Sequence, residues 1–388
     1  MKNAPERLNP TVVSILTPPG RSALATLGVF GPEALGIVER LFRPRFPGQG
    51  NSIPADRPVY GDFGNELTDD VVLHLSTSAG EVLIHSHGGT AIVQALLDEI
   101  EKQGARVVPW QEYMLAKGTN AIVVECLEAM AAATTARTAA ILLDQYSGAL
   151  EDAFRRIVTH RDLPLARRLL ERSSFGRHLI DGWRVLLFGP ANAGKSSLLN
   201  AMVGFRRANV SSQPGTTRDV ISGEAAFDGW PVKILDGPGF HDSANPIERE
   251  GLEILESAAS TVHLRILILD ISVPFVPEWM ELIQRWKPEL VIGNKCDLAS
   301  PWTEEQTGLL TGKASTKSSE GIASLMTQIV QRLVPDVPAS GEPVPFHPRQ
   351  IEWLDSFLRT EGFTNCNRTP LDHESRSDTA GQADQPIL

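Results

Sequence analysis

The chain has 388 residues, 42% hydrophobic and 21% charged, the composition of an ordinary water-soluble protein with room for two or three domains. A formal net charge of −11 provides no general positive field for phosphate, so neither a nucleic-acid coat nor a DNA-binding surface is expected. No apolar run approaches the ~18 residues of a membrane span. The N-terminus carries no apolar signal segment, and Cys126, Cys296 and Cys366 are too scattered for a disulfide framework or a zinc site, so a cytoplasmic protein is expected.

In chain order, residues 11–115 mix short apolar or alternating runs, such as Val12-Val13-Ser14-Ile15-Leu16 and Val82-Leu83-Ile84, with helical spacing near 32–42 and 90–102. This predicts a small α+β domain over 1–117. Residues 118–182 are rich in Ala, Leu and Arg at helical spacing, which predicts two or three helices. Arginines between Arg155 and Arg177 are the best candidate for an RNA contact, but interleaved acids make a solvated helix face the first reading. Over 183–335, apolar runs at 185–188, 232–235, 265–270 and 290–292 alternate with helical segments, the texture of a doubly wound α/β sheet. A proline-rich linker follows at 335–348. One helical pattern falls within 345–362, and 363–388 is expected to be disordered.

Gly189-Pro190-Ala191-Asn192-Ala193-Gly194-Lys195-Ser196 follows the first of these runs and opens a helical stretch, the strand–loop–helix order of a phosphate-binding loop. Backbone N–H groups over Asn192, Ala193, Gly194, Lys195, Ser196 and Ser197 are placed to face phosphates. Lys195 would reach the β and γ oxygens, and the Ser196 hydroxyl would bind Mg²⁺. About a hundred residues later stands Asn294-Lys295-Cys296-Asp297. An ionised Asp297 only accepts hydrogen bonds, so it suits guanine N1–H and N2–H₂ and rejects the adenine N1 lone pair. Asn294 would hold the O6/N7 side, and the Lys295 stem would cover the base. Together the two elements imply GTP.

Between them, Asp236-Gly237-Pro238-Gly239 predicts a Mg²⁺ contact through Asp236 and a γ-phosphate contact through the Gly239 N–H. Thr216 and Thr217, within Gly215-Thr216-Thr217-Arg218-Asp219, predict the second metal-side loop, with a threonine hydroxyl toward Mg²⁺. Ser315-Thr316-Lys317, after a strand expected at 309–311, is the candidate contact to guanine O6.

With these motifs, and with Thr17-Pro18-Pro19-Gly20, Gly31-Pro32 and His87-Gly88-Gly89, the chain resembles the tRNA modification GTPase family (MnmE/TrmE) from residue 11 to about 360. The resemblance implies a P-loop GTPase domain, 183–335, inserted into a helical domain (118–182 and 345–362). In front stands an N-terminal folate-binding, dimerising α+β domain. It also implies GTP hydrolysis coupled to wobble-uridine modification of tRNA, a homodimer, and an FAD-dependent partner subunit. Asn192 matches the family's K⁺-binding asparagine. Phe240 stands where many GTPases carry a water-orienting glutamine, and Glu248 matches the glutamate that serves this family instead; Glu248 and Lys195 are the catalytic candidates.

The chain also departs from the pattern. The family's Cys-containing terminal motif has no counterpart in Ala383-Asp384-Gln385-Pro386-Ile387-Leu388, and the second half of the helical domain is reduced to one helix. At the formyl-tetrahydrofolate site the family's arginine is Gly28, its glutamate is Leu83, and its lysine is at best the displaced Lys117. Losing that cation and carboxylate weakens the hold on a charged ligand. The alternative reading is therefore a GTP-dependent switch or assembly scaffold without the tRNA chemistry.

Overall fold

A computed structural model describes residues 10–18, 20, 22–45, 53–66, 68–77, 80–205, 221–240 and 260–366. The chain forms two compact units, one ending at Val124 and one beginning at Glu125.

The first unit is built on seven strands, β1 (Val12–Ile15), β2 (Leu24–Phe30), β3 (Phe42–Pro44), β4 (Pro58–Phe63), β5 (Asp69–Ser76), β6 (Glu81–His87) and β7 (Arg106–Val107). Their order is β3-β4-β5-β6-β2-β1-β7, and only β1 and β7 pair in parallel. Alternation selects the buried face: Ala25, Leu27 and Val29 of β2 join Val82 and Ile84 of β6 in one core. Helices α1 (Ala34–Leu41) and α2 (Thr90–Lys102) close it with residues at helical spacing, Ile37, Val38 and Leu41 from the first, Leu96, Leu97 and Ile100 from the second. A smaller cluster forms where α3 (Trp110–Ala116) brings Tyr113 against Val12 and Val108.

Four helices follow where the spacing predicted two or three: α4 (Ala121–Ala132), α5 (Ala136–Tyr146), α6 (Ala149–His160) and α7 (Leu163–Asp181). The breaks have local causes. Thr135 caps α5 by accepting from the Thr138 N–H, and Asp162 caps α7 by accepting from the Leu165 N–H, with Pro164 in the first turn.

The second sheet has six strands, β8 (Trp183–Pro190), β9 (Ile221–Phe227), β10 (Trp230–Phe240), β11 (Leu264–Asp270), β12 (Leu290–Asn294) and β13 (Gly312–Ala314). Their order is β13-β12-β11-β8-β10-β9, parallel except for the edge strand β9. Helices α8 (Lys195–Phe205), α9 (Pro277–Trp286) and α10 (Glu304–Thr307) lie between strands, and α11 (Ile322–Leu333) follows the last one. The central strands are apolar at consecutive positions because both faces are covered. Val185, Leu187, Ile266 and Ile268 enter the core with α8 and α11, whereas Leu186, Phe188, Leu267 and Leu269 enter the core with α9. This is the doubly wound α/β arrangement that the alternating texture implied. Its last strand begins later than expected, because Leu309 and Leu310 complete a helical turn onto Gln306 and Thr307.

The last described element is α12 (Pro348–Cys366), so 363–366 are helical where disorder was expected; 367–388 lie outside the described residues. The segment leading into α12 is gripped by the earlier helices. Gln145 of α5 donates to the Glu342 carbonyl at 3.0 Å and accepts from the Val344 N–H at 3.0 Å. Glu125 of α4, 9% exposed in its side chain, accepts from Arg349 Nε at 2.5 Å and Gln350 Nε2 at 2.7 Å and pairs with His347 at 3.1 Å.

Burial alone would raise the Glu125 carboxyl, but His347, Arg349 and Gln350 outweigh it and hold it down at about 2. A depressed carboxylate stabilises the fold fully above its unfolded value and loses that contribution as pH falls through the folded one. Glu125→Ala should therefore cost about 3 kcal/mol at pH 7, as read from urea unfolding. At pH 3 the gap between wild type and variant should narrow by about 2 kcal/mol. An unchanged gap would show that Glu125 does not carry this charge.

Candidate functional site

The motif residues within the described set gather at the carboxyl ends of the parallel strands β8, β10, β12 and β13, the edge at which ligands bind in sheets of this type. In β8 and β10, Asp236 stands opposite Leu187 and Gly239 opposite Gly189, with a register shift between Asp236 and Gly239.

In this loop Asn192 adopts φ +62, a left-handed conformation that Asn tolerates better than most residues, and its side chain is exposed. Gly194, φ +90, has a steric reason to be glycine: a Cβ there would lie 2.3 Å from Asn294 Nδ2. The space lets Asn294 donate to the Ala193 carbonyl at 2.7 Å, tying the base-reading motif to the phosphate loop. Asn294 is 2% exposed, and its Oδ1 has no hydrogen-bond partner among the described residues.

Lys195 opens α8, is 8% exposed, and donates to the Gly189 and Pro190 carbonyls at 3.0 Å each. Burial lowers its ammonium pKa, with Asp236 pulling the other way. Ser196 donates to Asp236 Oδ2 at 2.5 Å, so the two side chains expected at Mg²⁺ already meet. A hydroxyl beside a carboxylate, open to added phosphate oxygens, is a donor set that fits Mg²⁺. Ser197 is exposed on the same first turn of α8.

On the base side, Lys295 adopts φ +62 and its ammonium binds Asp270 Oδ2 at 2.5 Å. Burial would raise the Asp270 carboxyl, but Lys295 and Ser272 hold it below its ordinary value. Ser272 donates to Asp270 Oδ1 at 2.6 Å. Sequence reasoning missed this aspartate; the available signal was an acid closing the apolar strand β11, in register with Asn294. Asp297 is exposed and accepts from the Ser315 hydroxyl at 2.5 Å. Ser315 is 1% exposed and also accepts from the Lys317 N–H at 3.1 Å. Its hydroxyl therefore orients the Asp297 carboxylate. Thr316 and Lys317 are exposed. Thr216, Thr217 and Glu248 lie outside the described residues.

In the first unit, Gly28 and Leu83 face each other directly in the β2–β6 ladder. Above Gly28 sits Tyr113, 0% exposed; a Cβ on the glycine would lie 2.5 Å from the tyrosine hydroxyl. Tyr113 donates to Glu81 Oε2 at 2.8 Å, and Lys117 pairs with the same oxygen. Glu81 lies two residues before Leu83 and hence on the same side of β6. His87, the last residue of β6, pairs with Asp69 at 2.7 Å, and that contact raises the exposed imidazole's pKa.

Comparison with known proteins agrees with this geometry. The family described as 50S ribosome-binding GTPase matches residues 184–295. The tRNA modification GTPase MnmE of Chloroflexus aurantiacus is 32% identical over 75% of this chain and 73% of its own. That of Chlamydia felis is 29% identical over 84% and 81%. Among solved structures, the G domain of the T. maritima FeoB iron transporter is 24% identical over 39% of this chain and 98% of that chain, with a TM-score of 0.29. Identity of this extent, running through both units rather than the nucleotide-binding part alone, shows that the chain belongs to the tRNA modification GTPase (MnmE) family.

Proposed function

We propose that this GTPase couples hydrolysis of GTP, stimulated by K⁺ and by pairing of two G domains, to modification of tRNA. The observation that carries the reading is the junction of Asn294 with Ala193, which fixes a base-reading carboxylate and a phosphate loop at one strand edge. Asp297 takes the guanine N1–H and N2–H₂ donors, and the second Nδ2 proton of Asn294 serves the O6/N7 side. Lys195 and the N–H groups at the start of α8 hold the phosphates. Ser196 and Asp236, with Thr217, would hold Mg²⁺, which neutralises phosphate charge when bound. Exposed Asn192 would hold K⁺, which adds the positive charge that other GTPases take from an arginine finger. Gly239 offers its N–H to the γ-phosphate, and Glu248 orients or deprotonates the attacking water.

Within this reading 183–335 is the G domain, carried by a helical domain made of 118–182 and 345–362. Residues 1–117 form the dimerising domain, and tRNA and an FAD-dependent subunit are the partners. A cytoplasmic setting fits these roles; among the described residues no helix is long and apolar enough to cross a membrane.

The packing above Gly28 favours a second reading. The positions expected to present an arginine and a glutamate to a folate are Gly28 and Leu83, and the carboxylate of Glu81, on the same strand as Leu83, is already bonded to Tyr113 and Lys117. These residues do not fit formyl-tetrahydrofolate. The protein is then a GTP-driven switch or scaffold that has lost one-carbon chemistry while keeping the nucleotide site.

Asp297→Ala should weaken GTP binding by about 3 kcal/mol, roughly a hundredfold, and leave weak ATP binding unchanged. Undiminished guanine preference in isothermal titration would refute the site. GTP turnover should run at least roughly tenfold faster in K⁺ than in Na⁺, and Glu248→Ala should lower kcat by about a hundredfold or more with nucleotide affinity retained. Equal rates in the two salts would eliminate dimer activation by K⁺. In equilibrium dialysis, GTP should be retained and formyl-tetrahydrofolate should not. Saturable folate binding, together with restored tRNA modification in cells lacking the family enzyme, would reject the scaffold reading.

A further inference from the structure

At the amino ends of the parallel strands, opposite the nucleotide edge, lies a cavity of about 670 Å³ within the second unit. Its walls come from Arg156 of α6, which pairs with Asp162 at 3.4 Å, from α7, from Trp183 at the start of β8 and His263 just before β11, and from the segment running out of α11 through Pro343. It thus touches both covalent crossings between the helices and the six-stranded sheet. One wall is aromatic: His178 meets His263 edge-on at 4.2 Å and Trp183 at 5.3 Å, and Trp183 meets Phe175 at 5.8 Å.

The polar groups left over are mainly donors. Arg172 pairs with two of the lining carboxylates, Glu342 at 2.9 Å and Asp336 at 3.3 Å, so its single charge offsets one of the two. Arg168 and Arg332 are exposed and have no ion-pair partner among the described residues; Glu171, exposed at the rim, is the remaining lining acid. His263 Nδ1 accepts from the Arg184 N–H at 2.8 Å, so a neutral ring carries its proton on Nε2 as one more donor. Burial and neighbouring His263 and Arg177 bring His178 down to about 4, which keeps that ring neutral and available for stacking near pH 7.

Aromatic faces beside Arg168 and Arg332, two guanidiniums outside any described ion pair although Arg168 also acts on Glu342 through its charge, suit a flat ring joined to an anion, and the volume lies in the range of small-ligand sites. We propose that this cavity binds a small aromatic phosphate of the nucleoside monophosphate class, with its ring against the His178–His263 wall and its phosphate on Arg168 and Arg332. Such a ligand bridges the helical domain and the G domain.

The test uses the full chain saturated with Mg·GDP, so that the phosphate loop is filled, and isothermal titration with uridine 5′-monophosphate, phenyl phosphate, uridine and inorganic phosphate. Both phosphate esters should bind saturably, and the nucleoside or phosphate alone should bind at least about tenfold more weakly. The paired variant Arg168→Glu with Arg332→Glu should weaken the esters by about tenfold or more, while GTP hydrolysis and thermal midpoint stay unchanged. A 5′-phosphorylated tetrauridylate that binds as tightly as the monophosphate places the ligand at an RNA end; one that binds more weakly places it among free nucleotides. The proposal is overturned if neither ester saturates at millimolar concentration, or if the paired charge reversal leaves their affinity intact.

Discussion

A single hydrogen bond, Asn294 to the Ala193 carbonyl at 2.7 Å, joins the two halves of nucleotide recognition. One half is a loop whose amides suit phosphate. The other is a strand end whose carboxylate suits guanine. Alone, each would be a common turn. The bond exists because Gly194 has no side chain to hold the two segments apart and because β8 and β12 flank β11 in one parallel sheet. Strand order therefore brings together residues about a hundred positions apart, and burial of both sheet faces keeps them there. Around the bond the polar side chains are held by others: Lys295 by Asp270, Asp270 by Ser272, and Asp297 by Ser315. A site fixed in this way loses little freedom when a ligand arrives.

Much of this was legible in the sequence. The apolar runs of β8, β11 and β12 and the spacing of Lys195, Asp236 and Asp297 announce a doubly wound nucleotide-binding fold, because motif and periodicity are local properties of the chain. The supporting residues were harder to see. Asp270 resembles any acid ending a strand, and its role arises from register with Asn294, which pairing between distant strands creates. The tripeptide 315–317 suggests a base contact, but that the buried Ser315 hydroxyl also holds the Asp297 carboxylate depends on packing between distant segments. The helices before the sheet were undercounted because their breaks rest on single caps, Thr135 and Asp162, inside an otherwise continuous Ala-, Leu- and Arg-rich texture.

The first unit illustrates a different limit. Gly28, Leu83 and Lys117 could be noted as departures from a family pattern, but not what replaced the missing contacts. Tyr113 fills the room left by the glycine, and Glu81, one pleat away from Leu83, collects the tyrosine hydroxyl and the lysine ammonium. These polar groups satisfy each other within the packing of the strand pair.

The grip of α4 and α5 on the returning chain also has a temporal side. Glu125 and Gln145 find their partners near 342–350, some two hundred residues downstream. During synthesis these helices emerge first and must wait, with a buried acid and a buried amide unmatched, until the whole inserted sheet has left the ribosome. Helices α4 and α5 thus cannot complete this packing until the six-stranded sheet has been made, although their sequence precedes it.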